Sequence, residues 1–358
     1  MSVLGRYVTR IFISQLMLVL ISAVALLQLF DVMSEADGLL ADLGGGISII
    51  LQYSLMRLPI LVTFLLPFSV LIAASLTFSK LHRSSELVAI QALGMPLQKV
   101  LLLMLPTMLA MVFLHFLIND QLTPRATRIL ADWEAQTETA KAGDIALWIR
   151  DGQDVVSIGR IDDQGKSLEG VVIFNRDQDG NLVKQATARK AIYDEAGWWL
   201  EDIDELEVRP KAGQGNTPIP RRVWSTSLHP AIVGDLARLP DALSISEIRR
   251  LLDLTDITSR PAHVYQTWFH KSFAVPLASL FMVILATASV RGLQRQGGGA
   301  LNALIGFGGA FLYFVADGVL TALGEAGSIA PALAAWLPLG LLALTASAVL
   351  FWVTMLKT

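Results

Sequence analysis

Cysteine is absent from all 358 residues, so the chain has no disulfide, no thiol nucleophile and no thiolate metal site. Histidine is scarce: His82, His115, His229, His263 and His270 stand apart, and no H-E-x-x-H pattern occurs, which argues against a metalloprotease. No G-x-S-x-G nucleophile elbow is present either. Charge is the larger shortage. Only 16% of the residues are charged, against roughly 25% in ordinary soluble domains. Hydrophobic residues make up 53% and the mean hydropathy is +0.55. That balance is a membrane protein's.

A helix crossing the hydrocarbon core needs about 20 predominantly apolar residues. Six uncharged runs are expected to meet that length: Ile11 to Phe30, Leu58 to Ser79, Val100 to Asn119, Ser272 to Val290, Gly297 to Ala316, and a last one with its core at Trp336 to Met355. The first is too long, and lacks the small-residue cleavage pattern, for a removable signal peptide, so it is expected to remain as a span. Arg6, Arg10, Lys80, Arg83, Lys99, Arg291, Arg295 and Lys357 flank the runs on one side with a single acid, Glu86. The short loops opposite carry Asp31, Glu35, Asp37, Asp42 and Glu325 against Arg57 alone. The positive-inside rule then predicts cytoplasmic termini and an external polar insert from Asp120 to Lys271.

Within that insert, Thr123 to Thr139 reads as a polar helix continuing the third span. Short alternating runs follow, bounded by turns such as Asp151-Gly152 and Asp179-Gly180. They predict strands at Ile145 to Ile149, Val155 to Ile161, Leu168 to Phe174, Leu182 to Ala188, Ala191 to Tyr193, Trp198 to Ile203, Leu206 to Val208 and near Val223 to Leu228. Such spacing indicates an antiparallel all-β sandwich or partial barrel. Lys211 to Pro220 reads as a loop, and Leu239 to Leu252 as a helix capped at Ser244. The expected fold is an α-helical membrane protein of six transmembrane helices, three plus three, around an inserted extracytoplasmic all-β domain. Its divisions are residues 1–120, 121–265 and 266–358.

G-R-I-D-D-Q-G-K-S, Gly159 to Ser167, is similar to a phosphate-binding loop, but five residues rather than four separate its glycines. A strand pattern follows it where that chemistry needs a helix N-terminus, so it reads as a turn. ATP hydrolysis by this chain is not indicated. Gly306 and Ala310 are small residues four apart inside a span, suited to close helix packing. Phe307, Phe311 and Phe314 form a bulky stripe that faces lipid or lines a cavity. Asp317 either marks the outer end of the fifth span or is an ionisable group inside it, and the latter is a functional-site expectation.

R-S-S-E-L-V-A-I-Q-A-L-G-M-P, Arg83 to Pro96, predicts a short helix on the cytoplasmic side, with Ser84 as N-cap, Glu86 in the first turn, Gly94 at the C-cap and Pro96 as stop. Its body is too apolar for a solvated loop. It either lies on the inner leaflet or docks into a cytosolic partner.

The same segment, with A-L-W-I-R-D-G-Q-D-V-V-S-I-G-R-I from Ala146 to Ile161 and L-P-D-A-L-S-I-S from Leu239 to Ser246, resembles the lipopolysaccharide export permeases of the LptF/LptG family, most of all its LptG member. The resemblance covers nearly the whole chain. It implies that the β insert is a periplasmic jellyroll. It implies that residues 84–94 form a coupling helix in which Glu86, Leu87, Ile90, Leu93 and Gly94 meet an LptB-like ATPase dimer. Other implied partners are an LptF-like second permease, an LptC-like periplasmic protein and lipopolysaccharide, with no nucleic acid. The chain itself would be no enzyme and bind no cofactor, ATP and Mg being held by the ATPase. The lipid cavity is expected to involve Leu65, Leu66, Phe68, Phe307, Phe311, Phe314 and Asp317. The implied location is a Gram-negative inner membrane. Asp31 to Gly38 is acidic where family members carry basic residues for lipid phosphates. Arg57, the partner subunit or a less phosphorylated lipid would then account for head-group contact. Rival readings are an ABC permease for another lipid or lipoprotein, and an intramembrane hydrolase using Asp317.

Overall fold

The computed structural model describes residues 3–42, 46–136, 147–162, 165–177, 179–195, 197–207, 219–226, 228–254, 260–288 and 299–355. The chain divides into two compact units. One comprises Met1–Glu35, Ser54–Ala126 and Gln266–Thr358, the other Ala36–Tyr53 and Thr127–Tyr265.

The first unit is helical. α1 (Val3–Asp42), α2 (Gly46–Arg83), α3 (Glu86–Ala92) and α4 (Leu97–Leu117) come first. A π-helical turn at Ile118–Leu122 leads into α5 (Thr123–Gln136), as the expected helical continuation requires. Among the described residues six helices are long and apolar enough to cross a membrane, and they fall three before and three after the β region. The later three are α8 (Ala262–Leu285), α9 (Gly299–Glu325) and α10 (Pro331–Met355). Their packed interior joins Phe12 of α1, Val70 and Phe78 of α2, Met104 of α4, Met282 of α8 and Leu342 of α10. Leu18, Leu29, Phe64, Phe113, Leu312 and Leu344 remain exposed and apolar, as lipid-facing or partner-facing side chains must be.

Close approach between these helices depends on small residues. A Cβ on Gly309 would lie 3.3 Å from Leu285, and one on Gly306 would lie 3.9 Å from Ala288. Gly306 and the buried Ala310 therefore serve packing, as their spacing suggests. The tightest approach is at Gly324, whose added Cβ would sit 2.6 Å from the Ala334 Cβ and 2.9 Å from the Thr267 hydroxyl.

The second unit carries one six-stranded antiparallel sheet in strictly sequential order. Its strands are β1 (Leu147–Asp151), β2 (Asp154–Asp162), β3 (Ser167–Arg176), β4 (Leu182–Asp194), β5 (Gly197–Glu207) and β6 (Ile219–Trp224). The two runs read as Leu182 to Ala188 and Ala191 to Tyr193 are one strand, and those at Trp198 to Ile203 and Leu206 to Val208 merge likewise. The final strand begins earlier than its pattern suggests. Most of the Lys211 to Pro220 stretch lies outside the described residues.

The merged strands share a physical cause. The ladder is interrupted along one row, at Gly159 opposite Gly170, Arg189 opposite Asp202, and Asp202 opposite Pro220. Gly170 and Asp202 have φ of 64° and 53°, and Pro220 has no amide proton to donate. At this row two successive residues point outward, so the buried positions step by three: Leu168 to Val171, Ala188 to Ala191, Leu200 to Ile203. Glycines and αL residues at such positions let a sheet coil.

α6 (Pro230–Ala237), a 3-10 turn at Pro240–Ala242 and α7 (Ile245–Asp253) complete the unit. Ser244 and Glu247 form a full capping box on α7, and Ile248 and Leu251 are buried, as that segment's pattern predicts.

Candidate functional site

α3 is held rigidly at its C-terminus. The Gly94 amide donates to the Gln91 carbonyl at 3.0 Å and the Met95 amide to the Ile90 carbonyl at 3.3 Å. With Gly94 at φ 78° this is a Schellman motif, and Met95 supplies the accompanying apolar contact against the core. The N-terminus differs from expectation. Ser85, in a left-handed conformation, occupies the N-cap without a side-chain bond. The Ser84 hydroxyl instead donates back to the Lys80 carbonyl at 3.0 Å and so closes α2.

The helix has two unlike faces. Leu87 and Ile90, at 0% and 8% exposure, pack into the helical core with Leu81, Leu97 and Val100. They are anchors, unavailable to another chain in this arrangement, because helical spacing of three puts them on the same inward side. Val88 and Leu93, at 50% and 79% exposure, stand out with Ala89 and Ala92. Glu86 is half-buried and accepts a hydrogen bond from Tyr7 of α1. Val88 was missed in the sequence because periodicity alone does not say which side of a seven-residue helix meets its own core.

The expected cavity residues separate in the same way. Phe68 of α2 and Phe314 of α9 stack with ring centroids 3.8 Å apart and planes 8° apart, and Tyr313 meets Phe314 edge-on at 5.0 Å. Leu66 is buried in the helical core and Leu65 is half-buried. Phe307 and Phe311 are exposed. The stripe thus splits into one aromatic clasp between α2 and α9 and two outward rings.

Asp317 lies inside α9, which runs on to Glu325. Its Oδ2 accepts from Lys271 Nζ of α8 at 2.8 Å, and the same ammonium donates to Thr321 Oγ1 at 2.7 Å. The Thr321 hydroxyl in turn donates to the Asp317 backbone carbonyl at 2.6 Å. Lys271 also lies 5.0 Å from the Trp268 ring, and the Trp268 indole donates to Glu325. Every polar group of this α8–α9 cluster has a partner, which offsets the cost of burying charge. Lys271 closes the expected polar insert in the sequence. The structure starts α8 at Ala262 and puts this lysine within the helix.

Arg57 is half-exposed, and its Nε donates to both oxygens of Asp31 at 3.2 and 3.1 Å. The acid ending the first apolar run and the lone base of its opposite loops are thus one ion pair.

Comparison with known proteins places these features in one context. The family model described as lipopolysaccharide export system permease LptF/LptG matches residues 6–353. The lipopolysaccharide export system permease protein LptG of Escherichia coli K12 is 27% identical over 346 residues, covering 94% of each chain. LptG of Haemophilus influenzae KW20 is 26% identical over 261 residues, covering 71% of this chain and 72% of that one.

Proposed function

The chain belongs to the LptF/LptG family of lipopolysaccharide export permeases, and from that membership we propose that it is the membrane-spanning permease subunit of an ATP-driven exporter. It extracts lipopolysaccharide from the outer leaflet of the inner membrane and passes it to a periplasmic bridge. The subunit is a transporter component in a multi-pass inner-membrane protein. ATP and Mg act at a separate LptB-like ATPase dimer, and an LptF-like permease and an LptC-like protein complete the assembly. The termini and α3 are cytoplasmic and the β unit is periplasmic. Residues 1–120 and 266–358 form the transmembrane part around an inserted domain at 121–265.

One observation carries this reading. α3 is anchored from below by Leu87 and Ile90, locked by its Schellman turn, and presents Val88, Ala89, Ala92 and Leu93 outward. A rigid apolar knob outside the core is a docking element, read by a groove on its partner. The contact therefore centres on Val88, Leu93 and Gly94, with Glu86 at the rim and Leu87 and Ile90 transmitting force into the spans. Coupling of this kind works only if the partner binds two arrangements of the permease with different affinity. The cargo supports an apolar route, since each CH2 left in water costs about 0.8 kcal/mol. The Phe68–Phe314 clasp lies on that route, beside Phe307 and Phe311.

Rival chemistry at Asp317 is disfavoured by its engagement with Lys271 and Thr321. The test of the main reading is co-purification of Leu93→Asp with the native nucleotide-binding subunit. Loss of the ATPase from a folded permease is expected. Wild-type recovery of the ATPase would remove the docking role, and cells that export lipopolysaccharide normally without this chain would remove the function.

A further inference from the structure

A cavity of about 480 Å3 lies within the second unit. The residues that matter on its walls are Arg128 of α5, Lys166 of the β2–β3 turn, Tyr193 of β4, and His229, Asp235 and Arg238 at α6. Among the described residues its charge is unbalanced. Asp235, the acid on this wall, is already engaged by Arg128 at 3.6 Å, by Arg250 at 3.2 Å and by Arg238. Glu247 lies behind it. One of its oxygens accepts from Arg238 at 2.8 Å and from Arg128, and the other closes the capping box of α7 through Ser244 at 2.7 Å. Three arginines therefore share two saturated carboxylates.

Two donor groups are left without a bond partner among the described residues. The Arg238 side chain is 7% exposed, and its Nη1 has no hydrogen-bond partner among the described residues. A buried, unpaired guanidinium nitrogen is costly to leave unmade. Lys166 is exposed and makes no ion pair among the described residues. The start of α6 borders the same space through His229 and Pro230, adding the positive end of a helix dipole.

The β2–β3 turn is fixed against that helix end by Gly165. Its φ is +87°, and a Cβ there would lie 2.3 Å from the Pro230 carbonyl oxygen. The Gly-Lys of the failed phosphate-loop pattern is thus pressed onto a helix N-terminus after all, across the fold rather than along the chain.

We propose that this cavity binds the phosphate monoester of a sugar-sized head group, through Lys166, Arg128 and Arg238. Guanidinium forks match phosphate oxygens in geometry as well as charge. The volume falls in the range of small-molecule sites, about 300–1,000 Å3, and exceeds what bare phosphate fills. The Tyr193 ring gives the sugar a flat wall. Burial pushes the Arg238 pKa down and Arg128 and Arg250 add to the fall against the opposing pull of Asp235, in keeping with a site short of negative charge. That the phosphate arrives on lipopolysaccharide rests on the export function proposed above. A soluble sugar phosphate offers the same chemistry.

The test uses the full chain in detergent with three probes: phosphorylated lipid A, its dephosphorylated form and glucosamine 1-phosphate. Phosphorylated lipid A is expected to bind more tightly than the dephosphorylated form and to be displaced by glucosamine 1-phosphate. Lys166→Glu, at an exposed position, should weaken both phosphate ligands by about tenfold without lowering the melting temperature, and Lys166→Arg should restore them. Arg238→Met should act in the same direction, and Lys166→Glu decides the matter if that variant does not fold. Unchanged affinity in Lys166→Glu, or equal affinity for the two lipids, overturns the site while leaving the export reading intact. Glucosamine 1-phosphate binding that Lys166→Glu abolishes, in a protein that ignores lipid A, keeps the anion site and overturns its lipid source.

Discussion

The Lys271–Asp317 pair permits a quantitative test of how the span helices α8 and α9 are joined. The two charges are 2.8 Å apart, and their side chains are 7% and 19% exposed. At an effective dielectric of about 20, that separation corresponds to a gross attraction of about 6 kcal/mol, most of it offset by desolvation. Removing one partner is more damaging than the net value of the pair, because the other charge stays buried and alone. Such truncations cost about 3–5 kcal/mol. Asp317→Asn is the cleaner probe. Asparagine keeps the acceptor oxygen, and Lys271 keeps Thr321, so the loss isolates the charge.

Lys271→Met and Asp317→Asn are each expected to lower the melting temperature of the detergent-solubilised protein. The double variant Lys271→Met/Asp317→Asn, which leaves neither charge, should recover part of the summed loss. A coupling energy of about 2 kcal/mol is expected, within the usual span for residues in direct contact. Simple additivity of the two single losses would refute the reasoning. It would mean that the carboxylate and ammonium are solvated separately and that α8 and α9 are held by packing alone.

Other expectations follow from single contacts. Gly324→Ala brings a Cβ within 2.6 Å of the Ala334 Cβ, which has no flexible end to yield. It should destabilise the helical unit by about 1–3 kcal/mol, whereas Gly308→Ala, with nothing within 4 Å, should be nearly silent in the same melts. Burial pushes the Glu205 pKa up, but bonds from Lys184 and Arg222 outweigh it and hold the carboxyl below its usual range. A depressed pKa gives stability that is present above the ordinary carboxylate range and lost as pH falls through the lowered value. Acid unfolding of the β unit, followed by tryptophan fluorescence, should accordingly be less steep in Glu205→Gln. Leu87→Asp places a charge in the core and should lower the yield of folded protein, whereas Leu93→Asp should leave the melt unchanged and affect partner binding alone. Equal folding of the two would mean that α3 is not anchored as described.

What the sequence made legible is what depends on long uniform patterns. Six apolar runs became six span helices, and the Ser244–Glu247 box appeared where local chemistry demanded it. Local signals with two solutions were harder. Ser84 and Ser85 both suit an N-cap, and the choice fell to the geometry of the preceding turn, where Ser84 completes α2. Lys271 was invisible as a span residue because a charge reads as a boundary. Only its partner 46 residues later makes it tolerable inside a helix. α3 was legible as apolar but not as sided, since Leu87 and Val88 differ in burial without differing in hydrophobicity.

The sheet shows why strand patterns fail at particular places. Reading β4 by strict alternation, Arg189-Lys190 looks like a gap between two strands, and two were expected. In the fold Arg189 lies in the interrupted row and Lys190 next to it, where the buried phase steps from Ala188 to Ala191. A phase step in one strand alone would turn the rest of its apolar residues to the wrong face. Here β3, β4 and β5 step at the same level, and the pairing resumes in unbroken register, Ile158 opposite Val171 on one side of the row and Arg160 opposite Glu169 on the other. The sheet therefore keeps one apolar face across the interrupted row. The devices that permit this are Gly159, Gly170, Asp202 and Pro220, scattered over four strands. Each is unremarkable alone, and they gain meaning only when the strands are laid side by side. An apolar face kept continuous across that row suits the lipid-handling role proposed for the β unit, and it is encoded between strands rather than along any one of them.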